Sequence, residues 1–354
     1  MPDIKRELED LILTVIREDA SDLHLSTGRV PHIRVMGDLV PLLKKEPLTG
    51  EEMLAIVTLM LTDVRKEKLF KDFEVDFSYS YGAKARFRGN AFFQRGVISV
   101  ALRLIPEYVR NIEELKLPPI LETFTRKKQG FFLVVGPIGQ GKSTTLAALV
   151  QLINQERAEH ILTVEDPVEY VYKPIKSIID QREVHTDTGG FHTALTAMFR
   201  QDVDVVMIGE MRDFETISTA VTAAETGHLV FSTLHTNDAT QTIDRIIDAF
   251  PPEGQNQISA QLAESLLGVF SQRLIPRVSG GLIPAYELLI NNNAVANLIR
   301  ERRSHEIPRI IETGAEAGMI DFNRSLAELV HKGEITQENA LLYSTNQKGL
   351  ERFL

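Results

Sequence analysis

Apolar residues at the start of the chain fall on one helical stripe, Ile4, Leu8, Leu11, Ile12 and Val15, between charged positions. That spacing predicts an amphipathic first helix, unlike the continuous apolar core of a signal peptide. Short alternating runs follow at 22–25, 32–35, 73–79, 86–93 and 97–104. Period-two alternation predicts strands with one buried face, and a helix joined to such strands predicts a small α+β domain over residues 1–105. Pro106, Pro118 and Pro119 then interrupt a stretch with little apolar period, so residues 106–119 are expected to link two domains.

From Gly130 the pattern changes. Apolar runs at 131–135, 160–164, 205–208 and 229–234 alternate with helical patterns, which predicts a doubly wound, mostly parallel sheet of the α/β class. This core is placed at 120–275. After about Gln255 the period becomes helical, with Ile258, Leu262, Leu266, Leu267 and Phe270 on one stripe. Residues 276–354 are expected to form a C-terminal strand and helical region. No internal repeat or low-complexity tract points to a solenoid or a disordered arm.

Composition narrows the partners. With 39 basic against 49 acidic residues the net charge is −10, which disfavours a polyanion, so no nucleic acid is expected as a partner. The chain has no cysteine, which excludes disulfides and thiolate zinc sites. Nowhere do about 18 apolar residues run together, so no segment is expected to span a bilayer and any membrane attachment would come through a partner.

The strongest chemical signal lies at Gly136-Pro137-Ile138-Gly139-Gln140-Gly141-Lys142-Ser143, which fits the eight-residue phosphate-loop pattern. A predicted strand precedes it, and a helical pattern runs on from Thr144. Glycines let backbone N–H groups curl around phosphate, and the helix N-terminus adds the positive end of its dipole. Lys142 would neutralise the β- and γ-phosphates of ATP, and the Ser143 hydroxyl would hold Mg2+. Ile138 and Gln140 stand at variable positions of the pattern and are expected to leave the site unaltered.

Two carboxylates accompany the loop. Glu165 ends the second apolar run and Glu210 the third, at the sheet edge where open α/β proteins bind ligands. One such group can polarise the attacking water and one must serve the Mg2+ shell, so Glu165 and Glu210 are the candidates. His235 follows the fourth run beside Thr233 and Thr236, where it can hydrogen-bond a γ-phosphate. His228 flanks the other end of that run and is not expected to share a metal with it. Arg86, Arg88, Arg95 and Arg103 fall on predicted strands of the first domain and are candidate arginine fingers.

Together these residues resemble the secretion ATPase superfamily of type II secretion and type IV pili, most closely its PilT-like retraction branch in twitching motility. Its marks are ASDLHL at 20–25, the phosphate loop, EDPVE at 165–169, GEMRD at 209–213, AETGH at 224–228, LHTN at 234–237 and QLAESL at 261–266. The resemblance implies a homo-hexamer in which a PAS-like N-terminal domain packs on its neighbour's RecA-like core, with ATP and Mg2+ at the interface. It further implies a cytoplasmic motor at the inner face of the membrane, docked on an inner-membrane platform protein and in some systems joined by a paralogous pilus motor. Extension and secretion motors usually add a long N-terminal region and a four-cysteine metal site; this sequence has neither, which favours retraction.

One departure stands at the C-terminal motif. Retraction motors read AIRNLIRE there, whereas residues 294–301 read AVANLIRE, with Ala296 in place of an arginine. Helical spacing puts Val295 and Ile299 on one stripe and Ala296 with Arg300 on an adjoining line, expected to tolerate change without emptying the core. Arg300 is the candidate for coupling hydrolysis to the pilus machinery. Two other readings stay open: an accessory or non-hydrolysing subunit of a pilus motor, and a nucleic-acid translocase on the same core.

Overall fold

The computed structural model describes residues 4–82, 84–106 and 108–354. The chain divides into two units, Met1–Tyr108 with Pro167–Val171 and Val109–Asp166 with Tyr172–Leu354.

The first unit is built on a six-stranded sheet in which every pairing is antiparallel. Its strands are β1 (Asp22–Ser26), β2 (His32–Val35), β3 (Asp38–Pro41), β4 (Glu74–Tyr81), β5 (Ala85–Gln94) and β6 (Val97–Ile105). They lie in the order β3-β2-β1-β6-β5-β4. Leu8, Leu11, Ile12 and Val15 of the first helix (Ile4–Arg17) are buried with Leu23, Leu25, Phe77 and Phe87 of the sheet, as alternation requires. A second helix, Gly50–Met60, opens on a capping box in which Thr49 and Glu52 satisfy each other's backbone N–H groups. Register sets Asp22 opposite Arg34 and Arg103, and Arg88 opposite Arg103, so these charges share the sheet's other face.

Arg95 departs from expectation. It sits with φ 50° in the turn between β5 and β6, followed by Gly96 at φ 78°, which is the backbone of a tight hairpin and not of a strand.

The second unit holds a seven-stranded sheet of β7 (Gly130–Val135), β8 (His160–Glu165), β9 (Ile178–Glu183), β10 (Val205–Ile208), β11 (Leu229–Leu234), β12 (Leu266–Pro276) and β13 (Leu282–Ile290). The order is β13-β12-β7-β11-β10-β8-β9, parallel except for the β12–β13 hairpin. Every residue of β7 and β11 is buried, the signature of central strands covered on both faces. Phe131, Leu133 and Val135 enter the core with Ile217, Val221, Ile243 and Leu262 of the flanking helices, while Phe132 stacks against Phe124 at 4.3 Å.

The helical stripe expected through Phe270 stops early. The helix Pro252–Ser265 ends there and β12 begins at Leu266, so Leu267 and Phe270 are strand residues. Gly268 explains the choice: a Cβ there would meet the Leu289 carbonyl at 2.5 Å, so the backbone of β13 can come close only because the residue is glycine.

Candidate phosphate-binding site

Sequence dictates the loop's shape before any side chain acts. β7 runs directly into residues 136–141, and the helix Lys142–Glu156 starts where the loop ends. Gly136 has φ 145°, and a Cβ on it would overlap the Gln272 carbonyl, so both torsion and space demand glycine. Ser143 and Thr144 occupy the first helical turn, where backbone N–H groups lack intrahelical acceptors. Ile138 stands 83% exposed at the loop's apex, between Pro137 and Gly139.

Lys142 is buried and folded back across the loop. Its Nζ donates to the carbonyls of Gly136 at 2.7 Å and Pro137 at 2.9 Å, and to His235 Nδ1 at 3.1 Å. An ammonium can only donate, so Nδ1 is the acceptor and the other ring nitrogen carries hydrogen. That nitrogen, Nε2, lies 3.3 Å from Glu210 Oε2 and donates to it. Arg212 pairs with the second oxygen, Glu210 Oε1. Lysine, histidine, glutamate and arginine thus form one continuous polar chain from the loop to the ends of β10 and β11.

Glu165, at the end of β8, is 5% exposed. Its Oε1 accepts from Thr163 Oγ1 at 2.8 Å and from Gln181 Nε2 at 3.3 Å. Gly209 follows β10 beside it, with its Cβ position 3.4 Å from the Glu165 backbone, so Glu165 and Glu210 end adjacent parallel strands. Thr233 Oγ1 donates to the Gly209 carbonyl at 2.6 Å and fixes the turn that carries Glu210. His228 belongs elsewhere. Its Nδ1 meets the Ala223 carbonyl at 3.1 Å and its ring packs edge-on against Phe199.

Within the first unit, Arg103 Nε donates to Asp22 Oδ1 at 2.9 Å while most of its side chain stays exposed. Burial pushes the Asp22 carboxyl up, but hydrogen bonds from Ser21 and Arg103 outweigh it and hold the group below its ordinary range. Arg88 lies 3.5 Å from Glu169, and Arg86 Nη2 lies 3.5 Å from Ser78 Oγ.

Arg300 closes the helix Asn293–Arg300, donating to Asn297 Oδ1 at 3.0 Å and standing 3.8 Å from Glu264. Ala296 does not behave as expected. It is 7% exposed and belongs to the core, because Val295, Ala296, Leu298 and Ile299 all bury and the apolar stripe is wider than one line.

One residue escapes detection from sequence alone, and another, already placed in the loop, makes a contact its variable position does not predict. Gln272 of β12 is buried against the loop, and the Gln140 side chain accepts from the Leu274 backbone N–H at 2.7 Å, so Gln140 is not an inert filler. A polar residue in the middle of an apolar strand is the signal the sequence offers. Its meaning depends on knowing that β12 lies beside β7.

A glycine-framed loop between a buried parallel strand and a helix, with its lysine and strand-end carboxylates, defines a P-loop ATPase. Residues 2–337 match the family described as Type II/IV secretion system protein, and the chain belongs to that family. It is 43% identical to the type IV pilus retractation ATPase PilT of Pseudomonas aeruginosa over 334 residues, 94% of this chain and 97% of the relative. It is 44% identical to a twitching motility protein of Neisseria gonorrhoeae over 321 residues, 90% of this chain and 86% of that protein. A crystal structure of the pilus retraction motor PilT with bound ADP matches with a TM-score of 0.90 at 42% identity, covering 97% of this chain and 98% of that one.

Proposed function

We propose that this protein is a motor that hydrolyses ATP to retract type IV pili. The observation that carries the reading is the polar chain Lys142–His235–Glu210, which joins the phosphate loop to the strand-end carboxylate. Extensive identity to PilT of Pseudomonas aeruginosa supports the direction of the work.

In this reading the backbone of residues 136–144 cradles the phosphates and Lys142 neutralises them. The Ser143 hydroxyl and the Glu210 carboxylate are hard oxygen donors of the kind Mg2+ takes, and they would hold the ion that balances phosphate charge. Glu165 and Glu210 are the candidates for orienting and deprotonating the attacking water, and His235 reports whether a γ-phosphate is present. Arg86, Arg88 and Arg103 act from a neighbouring subunit on developing phosphate charge. In this reading the subunits form a homo-hexamer, cytoplasmic and held at the inner face of the membrane by a platform protein, with a paralogous motor sharing the load in some cells. Arg300 transmits the motion to that machinery.

The test pairs a purified protein with a cell. Lys142→Ala should abolish phosphate release in vitro and, in cells, leave pili on the surface without twitching. Normal twitching in that strain would refute retraction by this motor, and undiminished phosphate release would refute the site.

A further inference from the structure

Two alternate residues of β12, Gln272 and Leu274, form the bed on which the phosphate loop rests. Gln272 is 2% exposed and bonded at both ends of its amide. Its Oε1 accepts from Thr145 Oγ1 at 2.7 Å, in the first turn of the helix that follows the loop, and its Nε2 donates to the Gln140 carbonyl. Gln140 returns a bond of its own, its side-chain oxygen accepting from the Leu274 backbone N–H at 2.7 Å. The bed itself is fixed. β12 pairs with β7 on one side and β13 on the other, and Ser271 Oγ donates to the Asn237 carbonyl at 2.7 Å.

The bond to the Gln140 carbonyl has a directional effect. A trans peptide is planar, with its C=O and the following N–H pointing opposite ways. Anchoring the Gln140 carbonyl on the β12 side therefore turns the Gly141 N–H to the concave side of the loop, where an anion would lie. Without that anchor the peptide between Gln140 and Gly141 can rotate, since Gly141 tolerates many backbone torsions.

We propose that Gln272, acting with Gln140, is a positioning residue that holds the 140–141 peptide with its N–H toward phosphate and so sets nucleotide affinity. The inference rests on residues 136–143 being a phosphate cradle. Because the loop is misset equally in ground and transition states, losing the anchor raises KM and spares kcat.

The experiment uses the full chain. Gln272→Met keeps the side chain's length and removes both hydrogen bonds; the Kd for ADP by calorimetry and the KM for ATP should each rise about tenfold, with kcat within about threefold of wild type. Gln140→Leu keeps the Gln272 bonds, loses the Leu274 contact and should weaken ADP about threefold. Unchanged ADP affinity in folded Gln272→Met overturns the proposal, as does a fall in kcat at constant KM. Should Gln272→Met fail to fold, Gln272→Glu decides, since it loses the donor to the Gln140 carbonyl while still accepting from Thr145: unchanged ADP affinity there overturns the proposal. Lys142→Ala separates the cradle from its support. If it binds ADP as well as wild type, the cradle reading fails; if it loses ADP while the glutamine variants retain it, only the positioning role fails.

Discussion

Replacing Glu287 by glutamine is expected to stabilise the second unit at pH 8 and to leave it unchanged at pH 4. Glu287 lies on β13 with its Oε1 accepting from the Ala239 backbone N–H at 2.9 Å, at the start of the helix Ala239–Asp248. Burial, and then the negative charges of Asp238 and Asp321, push its carboxyl up from an ordinary value of 4.5 to about 7, against the pull of that hydrogen bond. Below about pH 4.5 the folded and unfolded chains are both protonated, and the group has no effect on stability. Between about 4.5 and 7 only the folded chain keeps the proton, so stability falls as pH rises; above 7 the full penalty persists. The interval corresponds to a ceiling of about 3 kcal/mol, lowered by the residue's partial contact with water. Glutamine still accepts from Ala239 and never ionises. At about 2 °C per kcal/mol for a unit of this size, the variant should melt up to about 6 °C higher at pH 8. Thermal melts of both proteins from pH 4 to pH 8 provide the measurement. An offset that is the same at every pH would show that packing, and not ionisation, distinguishes the two side chains.

Glu210→Gln should retain ADP binding and slow phosphate release by about 10²-fold or more, the scale for losing a positioned acid–base group. If Glu165→Gln is the more damaging of the pair, Glu165 is the base. Gly136→Ala should abolish nucleotide binding or folding outright, because its new Cβ would overlap the Gln272 carbonyl and neither backbone can retreat without breaking sheet pairing. Wild-type ADP affinity in that variant would contradict the close approach of β12 to the loop.

The phosphate loop, the two strand-end glutamates and His235 were legible because each is tied to a local pattern: a glycine spacing, or the end of an apolar run. What escaped was set by distant neighbours. β9 went unseen because its exposed edge position lets Ile178, Asp180 and Arg182 stand in one short segment, without an apolar run to mark it. β12 read as helix because Ile258, Leu262 and Leu266 continue a stripe across a boundary that only the close approach of β13 at Gly268 enforces. Ala296 read as peripheral from a two-line view of the helix, although its neighbours Leu298 and Val295 bury on both sides of it. Gln140 read as filler because the phosphate-loop pattern constrains its glycines and lysine and says nothing about what lies underneath.

The bed beneath the phosphate loop also bears on how the protein is made. Gln140 and its partner Gln272 are 132 positions apart in the chain. While the ribosome is still extending the polypeptide, residues 136–143 emerge long before β12 can be laid against β7, and contacts of such long range form late. A nascent or prematurely terminated chain therefore displays the glycine-rich segment without its support. On the proposed reading, full affinity for nucleotide is reached only once the strand that follows residue 265 has been delivered.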